Sequence, residues 1–223
     1  MKHIYRLHSV NLGDHIATLG CARFMAEVHG ERITVSTWNG ADFTERVNEI
    51  ESILDQTYSP IFTTEHPNTN FVEWGVWNTP PARVRFTLRW QPGKIDRIRP
   101  YACYQFDGTS SQEEKNPSEA EQEAMLQVLR GMGMDTIRLG AHNTLKEAAE
   151  LLSHAMLFVG CDSGFTHMGH AVGTPVYIYV KKLAPHTAHK YKQYVPFTDP
   201  GMLAHYIEKY CQLVLRPQEA IRF

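Results

Sequence analysis

Short apolar runs alternate with stretches whose apolar residues recur at helical spacing, and this alternation continues along most of the chain. Residues 3–10 (HIYRLHSV) predict a short strand, followed by a turn at Asn11-Leu12-Gly13. From about Asp14 to His29, Ile16, Leu19, Ala22, Phe24 and Ala26 are the candidate inward positions of a helix, and Gly30 is placed to stop it. A second strand is expected at Arg32–Thr37 (RITVST) and a short helix at Glu45–Asp55. Strand, tight turn, helix, strand is a βαβ unit. It implies a parallel sheet that offers the C-terminal ends of its strands to a ligand.

Residues 56–95 carry Pro60, Pro67, Pro80, Pro81 and Pro92 together with Trp74, Trp77 and Trp90, and read as an interdomain crossing. Periodicity then returns. Pro100–Asp107 predicts a strand, Gly108–Pro117 a polar loop, and Ser118–Met132 a helix with Ser118 as N-cap and Glu121 in the capping-box position. A strand at Asp135–Leu139 precedes a helix at Thr144–His154, with Thr144 as N-cap and Glu147 three residues on. Met156–Cys161 predicts a buried strand, and Asp162-Ser163-Gly164 opens a helix of small residues that ends near Gly173. Val176–Val180 is another strand, and Asp199–Leu213 a closing amphipathic helix. The class is α/β, in two small doubly wound lobes divided as residues 1–95 and 96–223.

Composition adds limits. At 223 residues, with 43% hydrophobic and 21% charged residues, the chain has the make-up of a globular protein with a sizeable core. Lys+Arg (22) nearly balance Asp+Glu (24), so net charge does not select a polyanionic partner. Cys21, Cys103, Cys161 and Cys211 form no CxxC pair and read as thiols of a reducing, cytoplasmic compartment. The start, MKHIYRLHSVNLGDH, lacks the apolar core of a signal peptide, and no apolar run is long enough to span a membrane.

The strongest chemical signal is LFVGCDSGFTHMGHAVGTPVYIYV, residues 157–180. An apolar strand ends at Asp162, and Ser163-Gly164 turn into a helix whose early residues include Thr166 and His167. The first N–H groups of a helix lack intrahelical partners and carry partial positive charge, so this turn suits phosphate. An Asp/Ser helix cap with no ligand is the plain alternative.

Here the sequence resembles glycosyltransferase family 9, the bacterial heptosyltransferase group. The resemblance rests on Leu152, Ala155 and Val159, then Asp162-Ser163-Gly164-Phe165-Thr166-His167, then Ala171, Gly173 and Pro175 before Tyr177, with Thr144-Leu145 upstream. It implies a GT-B fold, here compact: two Rossmann-like lobes with a cleft between them. It further implies that Lys115, Asp162, Ser163, Gly164 and His167 hold the diphosphate of a nucleotide-sugar donor. Gly13-Asp14 match the family's first strand-to-helix turn, which makes Asp14 the general base. Gly13, Thr109, Thr144 and Thr166 are further candidate contacts. Members are usually longer, and the difference falls on the acceptor-side lobe. The family often has a carboxylate just after the Ser/Thr-Leu pair; Lys146 stands there, with Glu147 one later.

Elementary chemistry agrees with those roles. A carboxylate at a βα turn can take a proton from a hydroxyl, and a helix N-terminus with a lysine and a histidine can stabilise a leaving diphosphate. No D-x-D occurs in the chain. The expected activity is therefore metal-independent, inverting glycosyl transfer, with a nucleotide-diphosphate sugar as co-substrate, no cofactor and no metal. The acceptor is left open as a glycan, a small molecule or nucleic acid. The basic run Arg83, Arg85, Arg89, Lys94, Arg97 and Arg99, with Phe86 and Trp90 in it, keeps a nucleic-acid acceptor open, although a half-exposed strand explains the alternation too. A binding module without catalysis is the alternative of another class. A metal enzyme built on His167 and His170 is a third reading. His186 and His189, with Lys181, Lys182, Lys190 and Lys192, suggest a basic loop beside the donor site.

Overall fold

A computed structural model describes residues 2–6, 12–36, 49–50, 52–53, 61–63, 71–74, 99–108, 112–182 and 194–215. Two parallel sheets organise them. The first contains β1 (Lys2–Arg6), β2 (Thr34–Ser36), β3 (Ile61–Thr63) and β4 (Phe71–Trp74), in the order β3-β2-β1-β4. The second contains β5 (Tyr101–Gln105), β6 (Asp135–Arg138), β7 (Leu157–Gly160), β8 (Val176–Tyr179) and β9 (Tyr194–Phe197), in the order β6-β5-β7-β8-β9. Each neighbouring pair in both sheets is parallel. The helices are α1 (Leu12–His29), α2 (Gln112–Lys115), α3 (Glu119–Gly131), α4 (Leu145–His154), α5 (Gly164–Ala171) and α6 (Pro200–Leu215). Helical backbone also occurs at residues 49–50 and 52–53.

The second sheet is covered on both faces because its strands alternate between two apolar sets. Tyr101, Cys103, Phe158, Val176 and Ile178 face α4 and α5 through Leu145, Ala148, Leu152 and Met168. Ala102, Leu157, Val159, Tyr177 and Phe197 face α3 and α6 through Met125, Leu129, Leu203 and Ile207. Such side chains contribute about 1.5–3 kcal/mol each when taken fully out of water. The first cluster reaches into the N-terminal half, since Ile16 of α1 and Ile50 and Ile53 belong to it. One packed core therefore joins the two halves.

The helix ends follow their sequence signals. Ser118 and Thr144 both form complete capping boxes, with Glu121 and Glu147 respectively. Gly30 closes α1 at φ 69°, a left-handed conformation that glycine adopts without steric cost. Ile16, Ala22 and Ala26 are fully buried, as the spacing predicts.

Three expectations need correction, and one strand was not foreseen. The helix of the first βαβ unit begins at Leu12, so Leu12 and Gly13 belong to its first turn rather than to a loop before it. Residues 56–95 contribute β3 and β4 to the first sheet, where an interdomain crossing was expected. The polar loop after β5 contains α2. Finally, Tyr194–Phe197 is a fifth strand of the second sheet. Pro196 conceals it in the sequence, but β9 is the outermost strand, where a missing backbone N–H is tolerated.

Candidate functional site

In the second sheet the chain runs from β5 to β6 on one side, then crosses back to β7 on the other. A parallel sheet has its ligand crevice at such a reversal, outside the C-terminal ends of the two strands that flank it. Those ends are Gln105 on β5 and Gly160 on β7, which lie side by side in register. The segments leaving them carry most of the residues singled out in the sequence.

From β5 the chain passes through Gly108 to α2, which ends at Lys115. Asn116 pins this loop in both directions: its Oδ1 accepts the Gly108 N–H at 2.9 Å, and its Nδ2 donates to the Gly108 carbonyl at 3.2 Å. Lys181, leaving β8, donates to the Asn116 carbonyl at 3.2 Å, and the Lys182 N–H donates to the Glu114 carbonyl. With the loop so held, the Lys115 Nζ lies 3.5 Å from Asp162 Oδ2, both side chains being less than one fifth exposed (19% and 16%). Asp162 thus holds the lysine beside the turn that follows β7.

That turn leads into α5. Ser163 is its N-cap, in extended backbone, but its hydroxyl makes no capping bond. The Ser163 Oγ is buried and without a hydrogen-bond partner. The opening N–H groups of α5 sit beside it, and the lysine is brought to the same turn by Asp162. A helix terminus with a cation beside it is able to hold an anion.

His167, one turn into α5, is 5% exposed. Its ring touches α1: a Cβ added to Gly13 would come within 2.7 Å of Cδ2 and 2.9 Å of Nε2. A Cβ on Gly164 would come within 2.8–2.9 Å of Cδ2, Cβ and Cγ of Leu12. Two glycines, one at the start of each helix, therefore let the N-termini of α1 and α5 meet. Asp14 stands beside Gly13 in the first turn of α1; its side chain is outside the described residues.

The remaining candidates have other surroundings. The Thr166 hydroxyl is buried and donates to the Cys161 carbonyl at 2.8 Å, bracing the turn from below. Thr144 caps α4, its Oγ1 accepting the Glu147 N–H. Thr109, His186 and His189 fall outside the described residues, as does the basic run at 83–97. His170 is buried on α5, and among the described residues no group of three or more His, Cys, Asp or Glu is placed to hold a metal ion. Burial pushes the Cys161 thiol up to about 11, so it stays protonated and is no nucleophile.

Residues 110–191 match the family model described as glycosyltransferase family 9 (heptosyltransferase). The resemblance is to glycosyltransferase family 9. The matched span holds Lys115, Asp162, Ser163, Gly164 and His167. Among solved structures the fold is similar to the iron-containing dodecameric glycosyltransferase TibC from enterotoxigenic E. coli. The TM-score is 0.58 at 14% identity, covering 80% of this chain and 58% of that one. TibC in complex with ADP-D-beta-D-heptose gives 0.61 at 15%, covering 87% and 63%. The E. coli heptosyltransferase WaaC with ADP gives 0.59 at 11%, covering 94% and 99%. The chain thus spans about three fifths of TibC. No curated protein matches by sequence. The GT-B fold is shared with these heptosyltransferases, and among the described residues no helix is long and apolar enough to cross a membrane.

Three residues of this region carry no motif. Asn116 clamps the loop, Gln105 ends β5, and Glu49 accepts the N–H of Leu145 at the start of α4 with its Oε1, at 2.8 Å. The only sequence signal for Asn116 was its place next to Lys115. Gln105 and Glu49 gave none.

Proposed function

We propose that this chain is a metal-independent, inverting glycosyltransferase that moves a sugar from a nucleoside-diphosphate donor to an acceptor hydroxyl. One observation carries the reading. At the switch point of the second sheet, a lysine–aspartate pair, a helix N-terminus and a buried histidine converge, and the first turn of α1 rests on that histidine. The family 9 match over residues 110–191, and the ADP and ADP-D-beta-D-heptose held by fold neighbours, support a nucleotide-sugar donor.

In this reading residues 96–223 form the donor lobe and residues 1–95 a reduced acceptor-side lobe, in a cytoplasmic enzyme. Asp14 takes the proton of the acceptor hydroxyl. The acceptor oxygen attacks the anomeric carbon from the face opposite the diphosphate, which inverts that centre. The bond from the anomeric carbon to the diphosphate oxygen breaks, and its electron pair leaves on the diphosphate. Lys115, the opening N–H groups of α5 and His167 stabilise that charge, while Asp162 keeps the lysine in place. Removing one preorganised donor aimed at a developing oxyanion typically costs about 2.7–4 kcal/mol of transition-state stabilisation. The acceptor is a glycan, a small molecule or nucleic acid.

Asp14→Asn tests the assignment. Loss of a general base should lower transfer by about 100- to 10,000-fold while binding of the nucleoside diphosphate stays as in the wild type. Transfer that survives the substitution would remove Asp14 from the mechanism. A wild-type chain that binds nucleotide yet transfers no sugar to any acceptor would favour a binding module.

A further inference from the structure

The amide of Gln105 has no role in the arrangement described so far, yet it belongs to one of the two strand ends that flank the switch point. Gln105 is the last residue of β5, paired with Gly160, at the point where the strand order reverses. Strand alternation puts its side chain on the same face as Tyr101 and Cys103, the face covered by α4, α5 and α1. It is 9% exposed. Its Nε2 donates to the Asp107 carbonyl, which fixes the orientation of the amide. Its Oε1 is buried and accepts no hydrogen bond. A second buried oxygen without a hydrogen-bond partner, Ser163 Oγ, stands at the start of α5, on the segment that follows the neighbouring strand β7.

A buried acceptor without a partner destabilises a protein, and such atoms mark places where a ligand completes the hydrogen bonding. The chemistry of the missing partner follows from the atom. An amide oxygen can only accept, so it repels phosphate oxygens and pairs with an O–H or N–H donor, and in a nucleotide sugar most such donors are hydroxyls. A nucleotide sugar asks for opposite partners, donors for its diphosphate and acceptors for its hydroxyls, and Gln105 Oε1 supplies an acceptor at the strand end next to the Lys115–Asp162 turn.

We infer that Gln105 is a specificity-determining residue of the donor site, whose Oε1 receives a hydroxyl of the nucleotide sugar. This rests on the transferase reading above. The hydroxyl belongs to the transferred sugar or to the ribose, and the two sources are separable by experiment. Because the oxygen is out of contact with solvent in the unliganded chain, the ligand must displace what covers it, and Gln105 then acts on affinity for the right sugar rather than on capture of the diphosphate.

The test compares wild type with Gln105→Met, which keeps the length and removes the acceptor, by calorimetric titration with pyrophosphate, ADP and ADP-D-beta-D-heptose. A lost neutral hydrogen bond should weaken binding of the nucleotide sugar about three- to tenfold and leave pyrophosphate unchanged. An ADP affinity that is also unchanged assigns the contact to the transferred sugar, and an equal loss with ADP assigns it to the ribose. Without ligand, Gln105→Met should melt lower than wild type only by the few degrees one hydrogen bond is worth, because it also removes the Nε2 donor to the Asp107 carbonyl. Unchanged affinity for all three ligands overturns the inference, as does an equal loss for pyrophosphate. A wild-type chain that binds none of the three overturns the transferase reading itself, and the inference with it.

Discussion

Gly13→Ala probes the contact on which the site's geometry depends. The added Cβ would stand 2.7 Å from Cδ2 and 2.9 Å from Nε2 of His167. Carbon atoms in comfortable contact are about 3.5–4.0 Å apart, so roughly 1 Å must be found by moving the ring or the helix. Neither moves freely. His167 is 5% exposed, and its neighbour Met168 is buried among Leu152, Phe158 and Ala171. Overpacking of this kind costs about 1–3 kcal/mol. In a chain of this size each kcal/mol lowers Tm by about 2–4 °C. Part of the strain should appear as a displaced His167, and so as weaker binding of a nucleoside diphosphate. Scanning calorimetry and titration with ADP measure the two effects on one sample. Gly131→Ala is the control, since a Cβ there meets nothing within 4 Å and the residue ends a helix, where alanine should hold or raise Tm. Gly164→Ala, which drives a Cβ against Leu12, should resemble Gly13→Ala. If Gly13→Ala matches wild type in both Tm and ADP affinity, α1 does not rest on His167 and the argument from close approach is wrong.

Two further outcomes follow from named contacts. Glu49 accepts the first N–H of α4 across 96 residues of chain, so Glu49→Ala should lower unfolding stability by about 1–2 kcal/mol, read as a lower urea midpoint with unchanged slope. Glu121 is held below its ordinary value of 4.5 by the Tyr179 hydroxyl and by the backbone and hydroxyl of Ser118; the backbone and hydroxyl of Thr144 do the same for Glu147. A lowered folded pKa gives stability that is present above 4.5 and lost as pH falls through the folded value. Melting temperature followed from pH 7 to pH 3 should therefore decline less steeply below pH 4.5 in the double variant Glu121→Gln, Glu147→Gln than in wild type; parallel curves would contradict the capping assignment.

The second half was largely legible because its signals are local. Ser118 with Glu121, and Thr144 with Glu147, are capping boxes whose partners lie within one helical turn, and the sequence spacing is the geometry. The Asp162–His167 block was legible for the same reason: a strand end, a turn and a helix start occupy consecutive residues. Short strands were not. Ile61–Thr63 and Phe71–Trp74 are three and four residues long in a proline-rich stretch, and only pairing with β2 and β1 makes them strands. Tyr194–Phe197 contains Pro196, which the edge position of β9 tolerates but which a central strand would not. Gln105 and Glu49 were invisible for a deeper reason. A glutamine ending a strand and a glutamate on a short helix have no distinguishing neighbours in sequence; what matters is Gly160, 55 residues on, and Leu145, 96 residues on.

The central claim is that the crevice between β5 and β7 holds a nucleoside diphosphate without a metal ion. A thermal-shift screen of the chain against UDP, GDP, ADP, CDP and their sugar conjugates, each with and without EDTA, tests it most directly. A ligand at a hundredfold excess over its dissociation constant stabilises the native state by about 2.7 kcal/mol, a rise of roughly 5–10 °C here. The account predicts such a rise with one nucleotide family, unaltered by EDTA and abolished in Lys115→Ala. A rise that disappears with EDTA, or no rise with any of the ligands, would contradict it.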